Sequence, residues 1–415
     1  MAIQKILLGG VPFGCNNIGD EAILARVVSI VREINPESDI TVSTAAPLET
    51  SNLLNVKTCP LYGFDVGVSR SEHKLNKKRF IGALKEVELF IWAGATGLSD
   101  YPGASLSCLI EAQKLNLKTI IFCTGMNDQL NPAHFKLSSG KKFALLNFLT
   151  LLSGRNIDFL KTYEIKKENA LRKSLKDVLD KCDLVINRDR QSCIQLMRSQ
   201  LVQRPIIAAD PAITLPILVP SEKIWGNALI DFMNTPKKLI GICISSQQNL
   251  AEQEQFTKWL DHIIQTKNVK IVFIPMNPIT DFDTMATIKD GMQYQSETII
   301  ANGSNTPEAF VGLASKMNII ISSRLHLLIF ASISATPCIG IERGSKVRNF
   351  LSEFGQYTTG TTEHIDFQQL EKTLTHLLFD PSEYKAKAKS VRYTMLIRLN
   401  IGIKALSKVL NPSLP

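Results

Sequence analysis

Short runs of aliphatic and β-branched residues alternate along the chain with longer stretches in which apolar positions recur at helical spacing. That is the pattern of parallel strands joined by crossover helices. In the first half the strand-like runs are KILLGG (Lys5 to Gly10), DITVST (Asp39 to Thr44), ELFIWAG (Glu88 to Gly94), KTIIFCT (Lys118 to Thr124), LVINRD (Leu184 to Asp189) and IIAAD (Ile206 to Asp210). Several are apolar on both faces, which predicts a sheet covered by helices on each side. Pro216, Pro220 and Pro236 punctuate a linker over 216–237, within which GNALIDFM (Gly226 to Met233) has the pattern of a short helix. The alternation then restarts with LIGICIS (Leu239 to Ser245), KIVFIPM (Lys270 to Met276), TIIAN (Thr298 to Asn302), NIIISS (Asn318 to Ser323) and CIGIE (Cys338 to Glu342). The expectation is an α/β protein of two doubly wound, Rossmann-like domains, 1–215 and 238–380, facing a cleft. A basic helix over 381–415 follows, and Met126 to Tyr163 is the least regular insertion.

Composition narrows the class. At 415 residues, 45% hydrophobic and 20% charged, the chain is long enough for two or three cores. Its longest apolar runs fall well short of the roughly 20 residues a membrane span needs. The strand-like KILLGG follows almost directly on Met1, without the pattern of a secretory signal, so a cytoplasmic location is expected. Lys and Arg outnumber Asp and Glu by 47 to 38, a net charge of +9, which points to anionic partners. With only 7% aromatic residues and no nucleic-acid-binding module, nucleic acid is not the expected one. The 8 cysteines are scattered without a C-x-x-C pair, so neither a zinc site nor a disulfide framework is expected.

Chemistry concentrates where strands are expected to end. Gly9 to Leu24, GGVPFGCNNIGDEAIL, is a glycine-containing turn opening a helix near Gly19, an arrangement that aims backbone N–H groups at an anion or polar ligand. Its spacing is not that of the dinucleotide fingerprint. Asp20 and Glu21 admit two readings: caps of a first helical turn, or, for Asp20, a general base or hydroxyl-binding group. A second turn, AGATGLSD with Gly94, Gly97 and Asp100, falls on the same sheet edge, where ligands of open α/β sheets bind. The sharpest feature is SSRLHLLIFASISATP, in which Arg324 and His326 lie in the first turn of a helix that stops before Pro337. Arg grips carboxylate or phosphate bidentately, and His donates a proton near neutral pH. Arg188 ends another strand and Lys346 sits in the turn after CIGIE, both placed to reach the same cleft. Asp189 and Ser192 read equally as caps of the helix after Arg188.

In combination these residues resemble the polysaccharide pyruvyl transferase family. The resemblance rests on N-N-I-G-D-E-A-I-L (Asn16 to Leu24), R-D-x-x-S (Arg188 to Ser192), D-P-A (Asp210 to Ala212), S-R-L-H (Ser323 to His326) and K-V (Lys346, Val347), in family order from about Gly9 to Phe350. It implies a fold similar to GT-B glycosyltransferases and transfer of the pyruvyl unit of phosphoenolpyruvate onto sugar hydroxyls, usually as a cyclic ketal. On the same footing Arg188, Arg324 and His326 serve the donor; from their places at the strand ends Ser323 and Lys346 are assigned to the donor as well, and Asn16, Asn17, Asp20, Gly94 and Asp100 to the acceptor. Where relatives often carry runs of glycine, this chain has Ala93 to Gly97, and after the next strand only Thr124, Gly125 and Met126.

The chemistry so implied needs no cofactor and no metal. His326 is the expected acid, Arg188, Arg324 and Lys346 hold the two anionic groups, and Asp20 receives the acceptor proton. The expected partners are phosphoenolpyruvate and a sugar or lipid-linked oligosaccharide. Two other readings share the fold: a glycosyltransferase using a nucleotide sugar, and a catalytically silent sugar-binding relative. The final helix, with Val391, Met395, Leu399, Ile403 and Leu406 at helical spacing among lysines and arginines, is expected either to meet an anionic membrane or to brace the two domains.

Overall fold

Strands that are apolar on both faces are stable only between two helical layers, and both sheets of this protein are built that way. The computed structural model describes residues 3–64, 68–246, 250–304 and 306–412. Its first sheet contains β1 (Lys5–Gly9), β2 (Asp39–Thr44), β3 (Lys57–Pro60), β4 (Leu89–Ala93), β5 (Lys118–Thr124), β6 (Leu184–Asn187) and β7 (Ile206–Ile207). The second contains β8 (Lys238–Cys243), β9 (Val269–Phe273), β10 (Thr298–Ile300), β11 (Ile319–Ser322) and β12 (Cys338–Gly340). The strand orders are β3-β2-β1-β4-β5-β6-β7 and β10-β9-β8-β11-β12, and every pairing is parallel. Central β1 sets the first register, with Leu8 opposite both Val42 and Ile91.

Each order reverses at its first strand, and such a reversal opens a crevice at the strands' carboxyl ends. The two crevices face each other. Ile18 N donates to Met276 O (2.9 Å) and Asp128 N to Ser345 Oγ (2.8 Å), while Arg348 pairs with Asp128 (2.6 Å), so strand-end loops of one domain bond directly to those of the other.

Three segments add to the sequence reading. β3 was not anticipated, because KTCP is short and only one of its residues is buried, which leaves no periodicity to detect. The 216–237 segment carries the short helix expected within it, Asn227–Met233, and is packed down, with Trp225 edge-on against Phe310 (5.2 Å between ring centroids) and Leu229 buried. The insertion is irregular up to residue 140 apart from a short 3-10 turn and helical from Lys141, with helices Lys141–Leu152 and Phe159–Leu179 packed against each other.

The final helix, Ser382–Leu410, crosses from the second domain back to the first. Tyr384 stacks on Phe354, Ala208 and Ile186 crowd Gly402, and Leu410 O accepts from Ile3 N. Val391, Met395, Leu399 and Leu406, the apolar stripe on which a membrane contact was expected, are buried in this brace. No described helix is long and apolar enough to cross a membrane.

Candidate active site

The facing strand ends enclose a cavity of about 780 Å³. From the first domain its wall takes Asn17 and Asp20 at the start of helix Ile18–Ile34, Asp100 beyond β4, Asn127 to Pro132 beyond β5, and Arg188 beyond β6. From the second it takes Arg324 and His326 beyond β11, and Arg343 to Lys346 beyond β12. Arg188, Arg324, His326 and Lys346, expected from the sequence to share a cleft, do line one cavity.

Two glycines make room for this. A Cβ at Gly19 would collide with Nδ1 of the His326 ring, so the first turn of the helix can press on the imidazole only because position 19 has no side chain. A Cβ at Gly125 would collide with the Arg188 guanidinium in the same way. Just upstream, β5 bulges: its register with β6 shifts between Ile121 and Thr124, and Cys123 takes φ 54°. The bulge turns the strand end so that Arg188 N bonds to Thr124 O and Gly125 N to Ala95 O.

The charged side chains are held by partners that sequence reasoning did not assign. Asp210 sits between Arg188 and His326, with its Oδ2 3.5 Å from Arg188 Nη1 and 3.4 Å from His326 Nε2. Burial pushes the Asp210 carboxyl up, but His326 and Arg188 outweigh it and hold the group below its ordinary range. D-P-A had marked this residue within the family pattern without giving it a task. Arg324 is fixed by Asp281, which accepts from Nε (2.9 Å) and Nη2 (2.6 Å) and is fully buried. This corrects one expectation: the fork of Arg324 is already engaged, and only its Nη1 edge remains for a ligand. Nothing around TDFD in the sequence distinguishes Asp281 from an ordinary first-turn carboxylate.

Arg343, next to the anticipated Lys346, was also missed. Burial, then Arg324, lower the Arg343 guanidinium to about 10. Burial and the neighbouring Arg343 are the main causes that push the Lys346 ammonium down to about 7. Crowded cations in a partly desolvated cavity are poised to gain an anion.

On the opposite wall Asn17 is the helix cap, its Oδ1 accepting from Gly19 N (3.3 Å), and its Nδ2 donates to Asp20 Oδ2 (2.6 Å). Asp20 is therefore not the cap. Burial raises its carboxyl above the ordinary range, and His326, Lys346, Asn17 and Arg324 only partly offset that. Glu21, raised to about 7 chiefly by burial, accepts from Gly14 N and shapes the loop. Asp100 lines the cavity and accepts from Thr96 Oγ1 (2.6 Å) and Asn127 Nδ2 (2.5 Å).

Other candidates lie off the wall. Asn16 is an exposed turn residue at φ 60°. Gly94 is packed on Ile23, and its carbonyl accepts from Trp92 Nε1. Ser323 is buried behind the cavity, accepting from Ser245 N (2.8 Å). Asp189 caps the helix Arg190–Met197 through Ser192 N (2.7 Å), and Ser192 Oγ accepts from Met126 N. Among the described residues no group of His, Cys, Asp and Glu side chains is arranged to hold a metal ion.

A family model described as polysaccharide pyruvyl transferase matches residues 17–345. No curated protein matches the chain by sequence. Among solved structures, MnaA of S. aureus, solved with UDP, superposes with a TM-score of 0.63 at 11% identity, covering 99% of this chain and 97% of that one. The UDP-GlcNAc 2-epimerase of Neisseria meningitidis bound to UDP-GlcNAc gives 0.58 at 13% identity, covering 98% and 100%. HepE of Anabaena in complex with UDP and glucose gives 0.59 at 12%, covering 99% and 100%. At these identities the likeness concerns the fold alone, which is GT-B-like.

Proposed function

The chain belongs to the polysaccharide pyruvyl transferase family, and from that premise we propose that it transfers the pyruvyl group of phosphoenolpyruvate onto sugar hydroxyls of a glycan precursor, forming a pyruvate ketal and releasing phosphate. One observation carries the reading: separate strand ends of two sheets bring Arg188, Arg324, Arg343, Lys346 and His326 onto one cavity opposite a buried Asp20. A small ligand with both a carboxylate and a phosphate suits four converging cations, since neither anion alone would occupy them.

In this scheme the free edges of Arg188 and Arg324, with Arg343 and Lys346, hold the two anionic groups and stabilise departing phosphate. His326 gives a proton to the methylene carbon, which leaves the adjacent carbon electrophilic. A sugar hydroxyl attacks that carbon and Asp20 accepts its proton. Loss of phosphate and attack by a second hydroxyl close the ketal. Over the cycle one hydroxyl proton is delivered to the methyl group and the other leaves with phosphate. Asp210 is a positioning residue in this scheme, its carboxylate 3.4 Å from Nε2 placed to orient the His326 ring. The scheme has no step that requires a cofactor or metal.

Purified protein incubated with phosphoenolpyruvate and a panel of glycan acceptors should release phosphate and yield acid-labile, glycan-bound pyruvate. Turnover with nucleotide sugars alone would favour the glycosyltransferase reading. A wild-type biological effect from folded Arg324→Ala and His326→Ala variants would favour the silent one.

A further inference from the structure

Helix Lys141–Leu152, KKFALLNFLTLL, is largely apolar, yet none of its residues is buried. An apolar helix in a water-soluble fold is ordinarily buried, so its outer face lacks a partner. Leu145, Phe148, Leu151 and Leu152 are 56%, 56%, 59% and 67% exposed. At 100° per residue they fall within roughly a third of the circumference, one continuous stripe. Phe143, Leu146 and Leu149 on the inner face are partly covered, where the helix packs on Phe159–Leu179. The turn between the two helices adds Ile157, 51% exposed.

The surroundings of the stripe are basic. From Lys136 to Lys173 there are nine Lys or Arg residues and three Asp or Glu. Those three carboxylates are engaged within the hairpin: Asp158 caps Lys161 N, Glu164 accepts from Leu137 N and Glu168 pairs with Arg172. Lys141, Arg155, Lys161, Lys166 and Lys173 form no ion pair among the described residues and are exposed. The hairpin also springs from the active-site rim: Asn127 to Pro132 line the cavity, and Asn131 Nδ2 (3.1 Å) and His134 Nε2 (2.9 Å) both reach the carbonyl of Asp100.

We propose that this hairpin docks on an anionic lipid bilayer, laying the stripe of Leu145, Phe148, Leu151 and Leu152 into the interface with the surrounding lysines at the headgroups. Charge complementarity selects that occupant, because an apolar stripe ringed by cations satisfies both layers of such a surface at once. Docking would set the cavity rim at the membrane and give access to an acceptor carried on lipid. The attachment stands apart from the identity of the transferred group, and its test needs neither donor nor acceptor.

The full-length protein is mixed with phosphatidylglycerol vesicles and, separately, with phosphatidylcholine vesicles, and binding is measured by flotation. Binding to phosphatidylglycerol that is much weaker on phosphatidylcholine, and that drops at least tenfold in the Leu145→Ser, Phe148→Ser double variant, is the expected result. These side chains are exposed, so the variant should melt with the wild type. Ile397→Ser with Ile401→Ser on the exposed side of the final helix should leave binding unchanged. Undiminished binding of the hairpin variant would overturn the proposal. So would a wild-type protein that ignores both vesicles, including one that is a dimer the double substitution disperses, which would assign the stripe to a second copy of the chain.

Discussion

Asp210 Oδ2 lies 3.4 Å from His326 Nε2 and 3.5 Å from Arg188 Nη1, so one buried carboxylate ties the group expected to move a proton to a group expected to hold the donor. Asp210→Asn keeps the shape and removes the charge. Turnover should fall by roughly 10²–10⁴, the range for a mispositioned acid–base group. The substitution should also alter stability in acid. The folded-state pKa of Asp210 is depressed, so its contribution is present above the unfolded value of about 3.9 and is lost as pH falls through the lower folded value. Acid titrations of the two proteins should therefore converge below about pH 4. Parallel stability curves would show that the carboxylate is not held by these partners.

Lys346 is held at about 7 by burial and by its cationic neighbours. An anionic donor recruits the charged form, so affinity for phosphoenolpyruvate should weaken roughly fivefold from about pH 7 to pH 8, as one group titrates. Lys346→Met should flatten that dependence and weaken binding throughout. For folding the sign is opposite. The unfolded lysine holds its proton up to about pH 10.4 and the folded one releases it near 7, which costs stability at neutral pH. The variant should accordingly melt higher without ligand, as read by thermal denaturation beside calorimetric titration.

Arg324 depends on Asp281 for both its place and its charge balance. Asp281→Ala should destabilise the protein by about 3–5 kcal/mol, the cost of leaving a buried charge without its partner. Pairing it with Arg324→Met should recover much of that stability and none of the activity. Denaturant unfolding and phosphate release separate the two effects.

Gly19 and Gly125 permit the contacts with His326 and Arg188. Gly19→Ala should displace the imidazole, lowering kcat more than stability, whose loss should be about 1–3 kcal/mol for an overpacked contact. Gly125→Ala should act chiefly on the KM for phosphoenolpyruvate. Steady-state kinetics on both variants check the division, and unchanged constants would mean that the side chains have room to shift.

The two-sheet architecture was legible because buried parallel strands read as uninterrupted apolar runs, as in LFIWA of β4 and IIIS of β11. The family was legible because its motifs fall at strand ends in a fixed order, which the match over residues 17–345 bears out. What escaped was pairing across the fold. Asp281 is 43 positions from Arg324, and Asp210 is 22 positions from Arg188, and neither carboxylate has a local pattern that names its partner. The insertion escaped for another reason. Its first helix is apolar on more than one side, so periodicity alone did not separate it from irregular chain.

The proton that His326 is assigned to deliver leaves a permanent mark on the product. Running the reaction with phosphoenolpyruvate and an accepted glycan in heavy water, then reading the ketal methyl group by NMR, tests that step most directly. The account predicts a singly deuterated methyl group and phosphate release with the wild-type protein, and neither product with His326→Ala. A methyl group without deuterium, or undiminished turnover by the His326 variant, would contradict it.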